Sequence, residues 1–165
     1  MLRAAGAGCI LCGAALGRWI ALGQRRRQRR TLFDLSHVLT DLAEEIRMAR
    51  EAMPVLLERH AARCGPDAAR LLRTAASAAL RGEDLADAWQ AAARALPLSE
   101  GDRQRTASLG AALRGDEERV CRALRAAAEG LERSAAELER RREAEERRSG
   151  ALLFSAAALL VILLY

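Results

Sequence analysis

Two long stripes of apolar positions and two apolar ends set the pattern of this chain. Leu32, Leu35, Leu39, Leu42, Ile46, Ala49 and Met53 recur at alternating steps of three and four, a seam of coiled-coil type on a helix opening at Thr31 as its N-cap. Val120, Leu124, Ala127, Leu131, Ser134 and Leu138 repeat the rhythm. They lie in a stretch from Asp116 that contains no proline and reads as one uninterrupted helix. The two stripes are predicted to pack against each other. Outside them, Ala4 to Gly23 is apolar apart from Arg18, and Ala151 to Tyr165 carries no charge. An amphipathic helix that becomes apolar all round needs lipid or a large core. With no chain after Tyr165 to wrap the last segment, lipid is expected.

The stretch between the stripes predicts short helices with short connections. Pro54 suits the first turn of a second helix. Cys64-Gly65-Pro66 closes that helix and opens a third, which Gly82 ends. Glu83 to Ala95 forms a fourth with Trp89 on its apolar side, and Pro97 breaks it. Leu98-Ser99-x-x-Asp102 resembles a capping box with a hydrophobic residue before the cap, starting a fifth helix that runs to about Leu113. Gly115-Asp116 is a stop followed by a new N-cap. The expected fold class is all-α: an N-terminal transmembrane helix over residues 1–23, a cytoplasmic helical bundle over 24–149, and a C-terminal transmembrane helix over 150–165.

Composition agrees with helices and fixes an orientation. Of 165 residues 51% are hydrophobic but 3% aromatic, and three are proline. All 27 basic residues are arginine, against 22 acidic ones, for a net charge of +5. Arg25, Arg26, Arg27, Arg29 and Arg30 follow the first apolar segment at once, and Arg147 and Arg148 directly precede the second. A basic cluster in that place argues against a cleaved signal peptide. By the positive-inside rule it puts the middle of the chain in the cytoplasm and both termini across the cell membrane. The last segment is short, since fifteen residues at about 1.5 Å each give roughly 22 Å against a hydrocarbon core of about 30 Å. Arginine stems that snorkel and a thinned bilayer can close the gap.

Interspersed acids and arginines favour solvated helix faces over a nucleic-acid stripe, and no aromatic set is present for base stacking. Cys9 and Cys12 form C-x-x-C inside an apolar run, where small packing residues are expected rather than a redox pair. Cys64 and Cys121 read as small buried hydrophobes. His37 and His60 have no metal-ligand neighbour one turn away. There is no G-x-x-x-x-G-K-[ST] phosphate loop, no G-x-S-x-G serine, and no isolated pair of carboxylates in an apolar setting. No cofactor, metal or catalytic group is expected, and the chain is not expected to be an enzyme.

Several short motifs follow one another in a specific order. Glu45-Ile46 is followed by Met53-Pro54 and Leu57, then Ala88-Trp89, Leu98 and Asp102. Leu109-Gly110-x-x-Leu113 and Asp116 lead into the long helix and a tail ending Val161-Ile162-Leu163-Leu164. With the two flanking apolar segments, this order resembles the stage III sporulation protein AB family, over essentially the whole chain. That family is similar to the inner-membrane platform protein of type II secretion systems. The resemblance implies a non-enzymatic platform in the mother-cell membrane, within the channel apparatus joining mother cell and forespore. Its implied partners are a cytoplasmic secretion-type ATPase, other membrane proteins of the channel, membrane lipid and further copies of itself, with no nucleic acid. Trp89, Asp102, Gly110 and Asp116 are candidates for the partner contact or for the packing that shapes it. Two other readings remain: a membrane-anchored helical scaffold of another pathway, and an anionic-lipid or nucleic-acid binder acting through residues 25–30.

Overall fold

The computed structural model describes the backbone of residues 2–48 and 51–164 and the side chains of residues 23–48 and 51–144. Six helices account for nearly all of it: α1 (Leu2–Met48), α2 (Met53–Ala61), α3 (Pro66–Leu80), α4 (Leu85–Arg94), α5 (Glu100–Ala112) and α6 (Glu117–Leu164). Among the described residues there is no strand. The all-α helical bundle expected from the seams and the helix start and stop signals is therefore the observed class.

The two stripes meet as the frame of the molecule. Leu32, Leu35, Leu39 and Leu42 of α1 are buried, as are Val120, Leu124, Ala127 and Leu131 of α6. Ile46, Ala135 and Leu138 pack half-buried at the edges of the same core. The pairing is antiparallel. Cys121 near the start of α6 reaches the Ala43 carbonyl near the end of α1 at 3.4 Å, and Arg29 meets Glu139 at 2.8 Å. Knobs at steps of three and four keep one face of each helix against the other over this length.

Two expectations at the ends of the first seam are corrected. Thr31 is not an N-cap. It sits inside α1, buried, with its hydroxyl 3.0 Å from the Arg27 carbonyl and 3.3 Å from the Asp67 carboxylate. Residues 24–30 are glutamine and arginine, which propagate a helix, so nothing interrupts the backbone before Thr31. Met53 does not continue the seam, because α1 ends at Met48 and Met53 opens α2. It packs on the same core from a different helix, which is why the periodicity ran through the break. Ala49 lies outside the described residues.

The four inner helices start and stop where the sequence signals stood. Pro54 and Pro66 occupy the first turns of α2 and α3. Gly82, at φ +75°, closes α3: its N–H donates to the Ala79 carbonyl, and the next N–H, of Glu83, donates to that of Ala78. This pair of hydrogen bonds needs a left-handed residue, which glycine supplies without a Cβ clash. The fourth helix begins two residues later than expected because Asp84 is its cap, accepting from the N–H groups of Ala86 and Asp87. Ser99 caps α5 through the N–H of Asp102. Asp116 precedes α6, and its carbonyl accepts the first helical bond, from Val120. The core they enclose centres on Trp89, Leu56, Leu57, Leu71 and Leu72, all fully buried.

Candidate functional site

Trp89 and Gly110 lie at the contact of α4 and α5, Asp102 lies two turns before Gly110 on α5, and all three are buried. The Trp89 indole N–H donates to the Thr106 carbonyl at 2.8 Å across α4 and α5, satisfying the one polar atom of the largest buried side chain. Asp102 is buried and joins α5 to α6. Its carboxylate accepts from the hydroxyls of Ser99 at 2.6 Å and Ser134 at 2.7 Å, and from Arg105 at 2.7 Å. Gly110 lies against α4, and a Cβ there would stand 2.5 Å from the Ala86 carbonyl oxygen. Asp116 is separate from this group. It is exposed in the α5–α6 connection, 3.8 Å from Arg119. Of the capping box expected at Leu98-Ser99-x-x-Asp102, the bond from the Asp102 N–H to Ser99 is present; the Asp102 carboxylate takes the Ser99 hydroxyl and a further bond from α6 that sequence spacing does not reveal.

Several of the arginines expected to flank a membrane are bonded to other helices. All of residues 25–27, 29 and 30 keep exposed side chains on α1, and Arg30 lies 4.0 Å from Asp34. Arg27 forms a two-bonded pair with Asp67 at the start of α3, at 2.6 and 2.7 Å, and Arg29 is held by Glu139. Arg70 adds a further contact to Asp67 at 3.2 Å. The Arg27 guanidinium, helped by Arg70 and Thr31, holds the Asp67 carboxyl below the usual carboxylate range although burial opposes this. Next to it the Gly65 N–H donates to the Asp34 carboxylate at 3.1 Å. Asp67 and Asp34 together fasten the N-terminus of α3 to α1, around a cleft of about 330 Å³. Arg147 and Arg148 lie outside the described side chains.

A second cluster joins α1 to α2. His60 is buried with Nε2 3.2 Å from Glu45, which also meets Arg59 at 3.4 Å, and Arg59 pairs in turn with Glu51. At the far end of the bundle Arg114, in the α5–α6 connection, pairs with Asp84 and lies 3.1 Å from Asp87. That guanidinium holds the Asp84 carboxyl below its ordinary range. Each of these carboxylates is tied to a cation or hydroxyl from another element, which suits holding helices together. Burial pushes the Cys64 thiol up, away from the reactive thiolate. Among the described residues, no three of His, Cys, Asp and Glu converge to hold a metal. A shallow polar groove of about 520 Å³ runs between α4 and α5, lined by Gln90, Arg94, Arg103 and Gln104 among others.

Several surface features were not anticipated. Phe33 is 60% exposed, with its ring 4.3 Å from that of His37 one turn on. Met48 and Leu80 are 86% and 77% exposed at the C-terminal ends of α1 and α3, and Val55 is exposed near the start of α2. The available signal was that Phe33 and Met48 fall off the α1 seam register. Among the described residues no helix is long and apolar enough to cross a membrane; the side chains of the two expected spans, residues 1–23 and 150–165, lie outside the description or, at Gly23, at its edge.

A family model described as stage III sporulation protein AB matches residues 3–165. A solved structure titled stage III sporulation protein AB superposes with a TM-score of 0.65 at 18% identity, covering 72% of this chain and 98% of that one. At that identity it bears on the fold alone. No curated protein matches the chain.

Proposed function

Because the chain belongs to the stage III sporulation protein AB family, we propose that it is a non-enzymatic membrane platform of a sporulation channel. In this role it sits in the mother-cell membrane, bridging a cytoplasmic secretion-type ATPase to the membrane-embedded rings. The single observation that carries the reading beyond the family is the antiparallel pairing of α1 and α6. It lets the apolar stretches 4–23 and 151–165 continue the two helices from one end of the bundle. A chain anchored twice on one side presents its helical domain to one compartment, and the arginines beside each apolar stretch make that compartment the cytoplasm. The bonded clusters fit a scaffold, since each joins two helices and none leaves an activated group at a cleft.

The test is association with the ATPase. Full-length protein in native membranes or detergent should retain the cognate secretion-type ATPase on affinity capture, more strongly in membranes, where many copies bind together. If wild-type protein retains no ATPase in either setting, the platform reading fails.

A further inference from the structure

We propose that the bundle rests against an anionic lipid surface through the α2–α3 turn as well as through α1, with Arg63 as a headgroup contact remote in sequence from the residue 25–30 cluster. The proposal builds on the membrane reading above. Its basis is that the fold carries a second basic segment to the end from which α1 and α6 leave. The Arg27–Asp67 pair and the bond from Gly65 N–H to Asp34 fix the start of α3 at the level of residues 27–34 of α1. Gly65 in the turn, bonded to Asp34, therefore stands about eleven residues beyond Gly23, roughly 16 Å along the helix, and Asp67, bonded to Arg27, stands nearer. The headgroup layer covers roughly the first 6 Å of that, and the remainder is comparable to the Debye length of about 8 Å at physiological salt.

Charge is polarised along the bundle to match. Residues 24–34 and 63–70 contain seven arginines and two aspartates, an excess of five positive charges; Asp67 pairs with Arg27 and Arg70, and Asp34 with Arg30 and the Gly65 N–H. At the opposite end, residues 81–87 and 113–119 contain three arginines and six acids. An anionic surface thus attracts one end and repels the other. Arg63 and Pro66 are exposed, and Arg70 keeps 58% of its side chain in solvent despite its contact with Asp67. Each basic side chain near an anionic surface contributes roughly fivefold in association.

The test uses the full chain in phosphatidylcholine vesicles with and without phosphatidylglycerol, doped with a lipid photoreactive at the headgroup. Flotation and resistance to alkaline extraction in both vesicle types establish insertion, and failure there sinks the membrane reading and this inference with it. Given insertion, mapping of adducts should find them in residues 62–70 as well as 24–30, with few in 81–87. The 62–70 adducts should require phosphatidylglycerol and fall at least fivefold in high salt. Arg63→Glu should remove them while leaving the melting temperature and the 24–30 adducts unchanged, and Arg70→Gln should weaken them less. Insertion with adducts at 24–30 but none at 62–70, or equal labelling without phosphatidylglycerol, overturns the docking proposal and leaves the membrane reading standing.

Discussion

At the scale of single residues, the side chains that bind the helices together each answer to a different substitution. Gly110 is there because α4 and α5 approach too closely for a Cβ: Gly110→Ala forces a contact 2.5 Å from a backbone oxygen. The expected loss is about 1–3 kcal/mol, as for overpacking elsewhere, read as a lowered melting temperature; an unchanged melt would mean the helices part freely. Asp102 and Asp116 separate structure from contact. Asp102→Ala strips acceptors from two hydroxyls and Arg105, and should destabilise by about 1–3 kcal/mol. Asp116→Ala alters an exposed residue and should leave the melt within about 0.5 kcal/mol. Lost ATPase retention in Asp116→Ala with an unaltered melt would mark the α5–α6 connection as an interface; retention lost only in proportion to unfolded protein would make both aspartates structural. Asp67 carries a pH signature. Its carboxyl is held below the ordinary range by Arg27, so the stability it gives is complete above the unfolded value of about 3.9 and disappears as pH falls through the lower folded value. Asp67→Asn should therefore melt below wild type at neutral pH, with the two converging under acid below about pH 4. Parallel curves down to the lowest pH would show that the pair contributes nothing.

At the scale of elements, the seams were legible because steps of three and four are a property of the helix itself. Leu35, Leu39 and Leu42 could be assigned to one face, and Leu124 and Leu131 to its partner, without any knowledge of the loops. The short helices were legible through Pro54, Pro66, Gly82 and Ser99, whose backbone preferences are local. What sequence could not show is the polar bonds between elements. The Asp102–Ser134 bond spans 32 positions and the Arg27–Asp67 pair 40, and no periodicity links such residues. Thr31 misled for a related reason, since a threonine after a charged run resembles a cap until Asp67 is seen to lie beside it. The seam makes a direct prediction. Leu39→Asp or Leu42→Asp buries a lone carboxylate between α1 and α6 and should cost several kcal/mol, enough to unfold a marginal domain. The same change at exposed Arg125 on the outer face of α6 should be mild. If circular dichroism melts of the leucine variants overlay the parent, the two long helices do not pack as described.

At the scale of the whole molecule, antiparallel pairing of the first and last helices decides more than any side chain. It sends the two helices that carry the apolar segments, more than a hundred residues apart in sequence, out of one end of the bundle, where α1 and α6 both carry arginines. Arg29 and Glu139 mark the level where the two long helices run together toward that end, while Arg114, Asp84 and Asp87 close the other. A bundle of this polarity threaded twice through a bilayer has one orientation that keeps its basic end on the cytoplasmic leaflet. Reporter fusions should then read external at both termini, and cysteines introduced at exposed bundle positions such as Ala126 should label from the cytoplasmic side. The C-terminal fusion is the sharper probe, because fifteen residues give roughly 22 Å against a hydrocarbon core of about 30 Å and must thin the bilayer or draw on the arginine stems before them. A C-terminal reporter that reads cytoplasmic, with the bundle also cytoplasmic, would mean that the last segment lies along the membrane or against a partner instead of crossing, and the chain would be anchored through α1 alone.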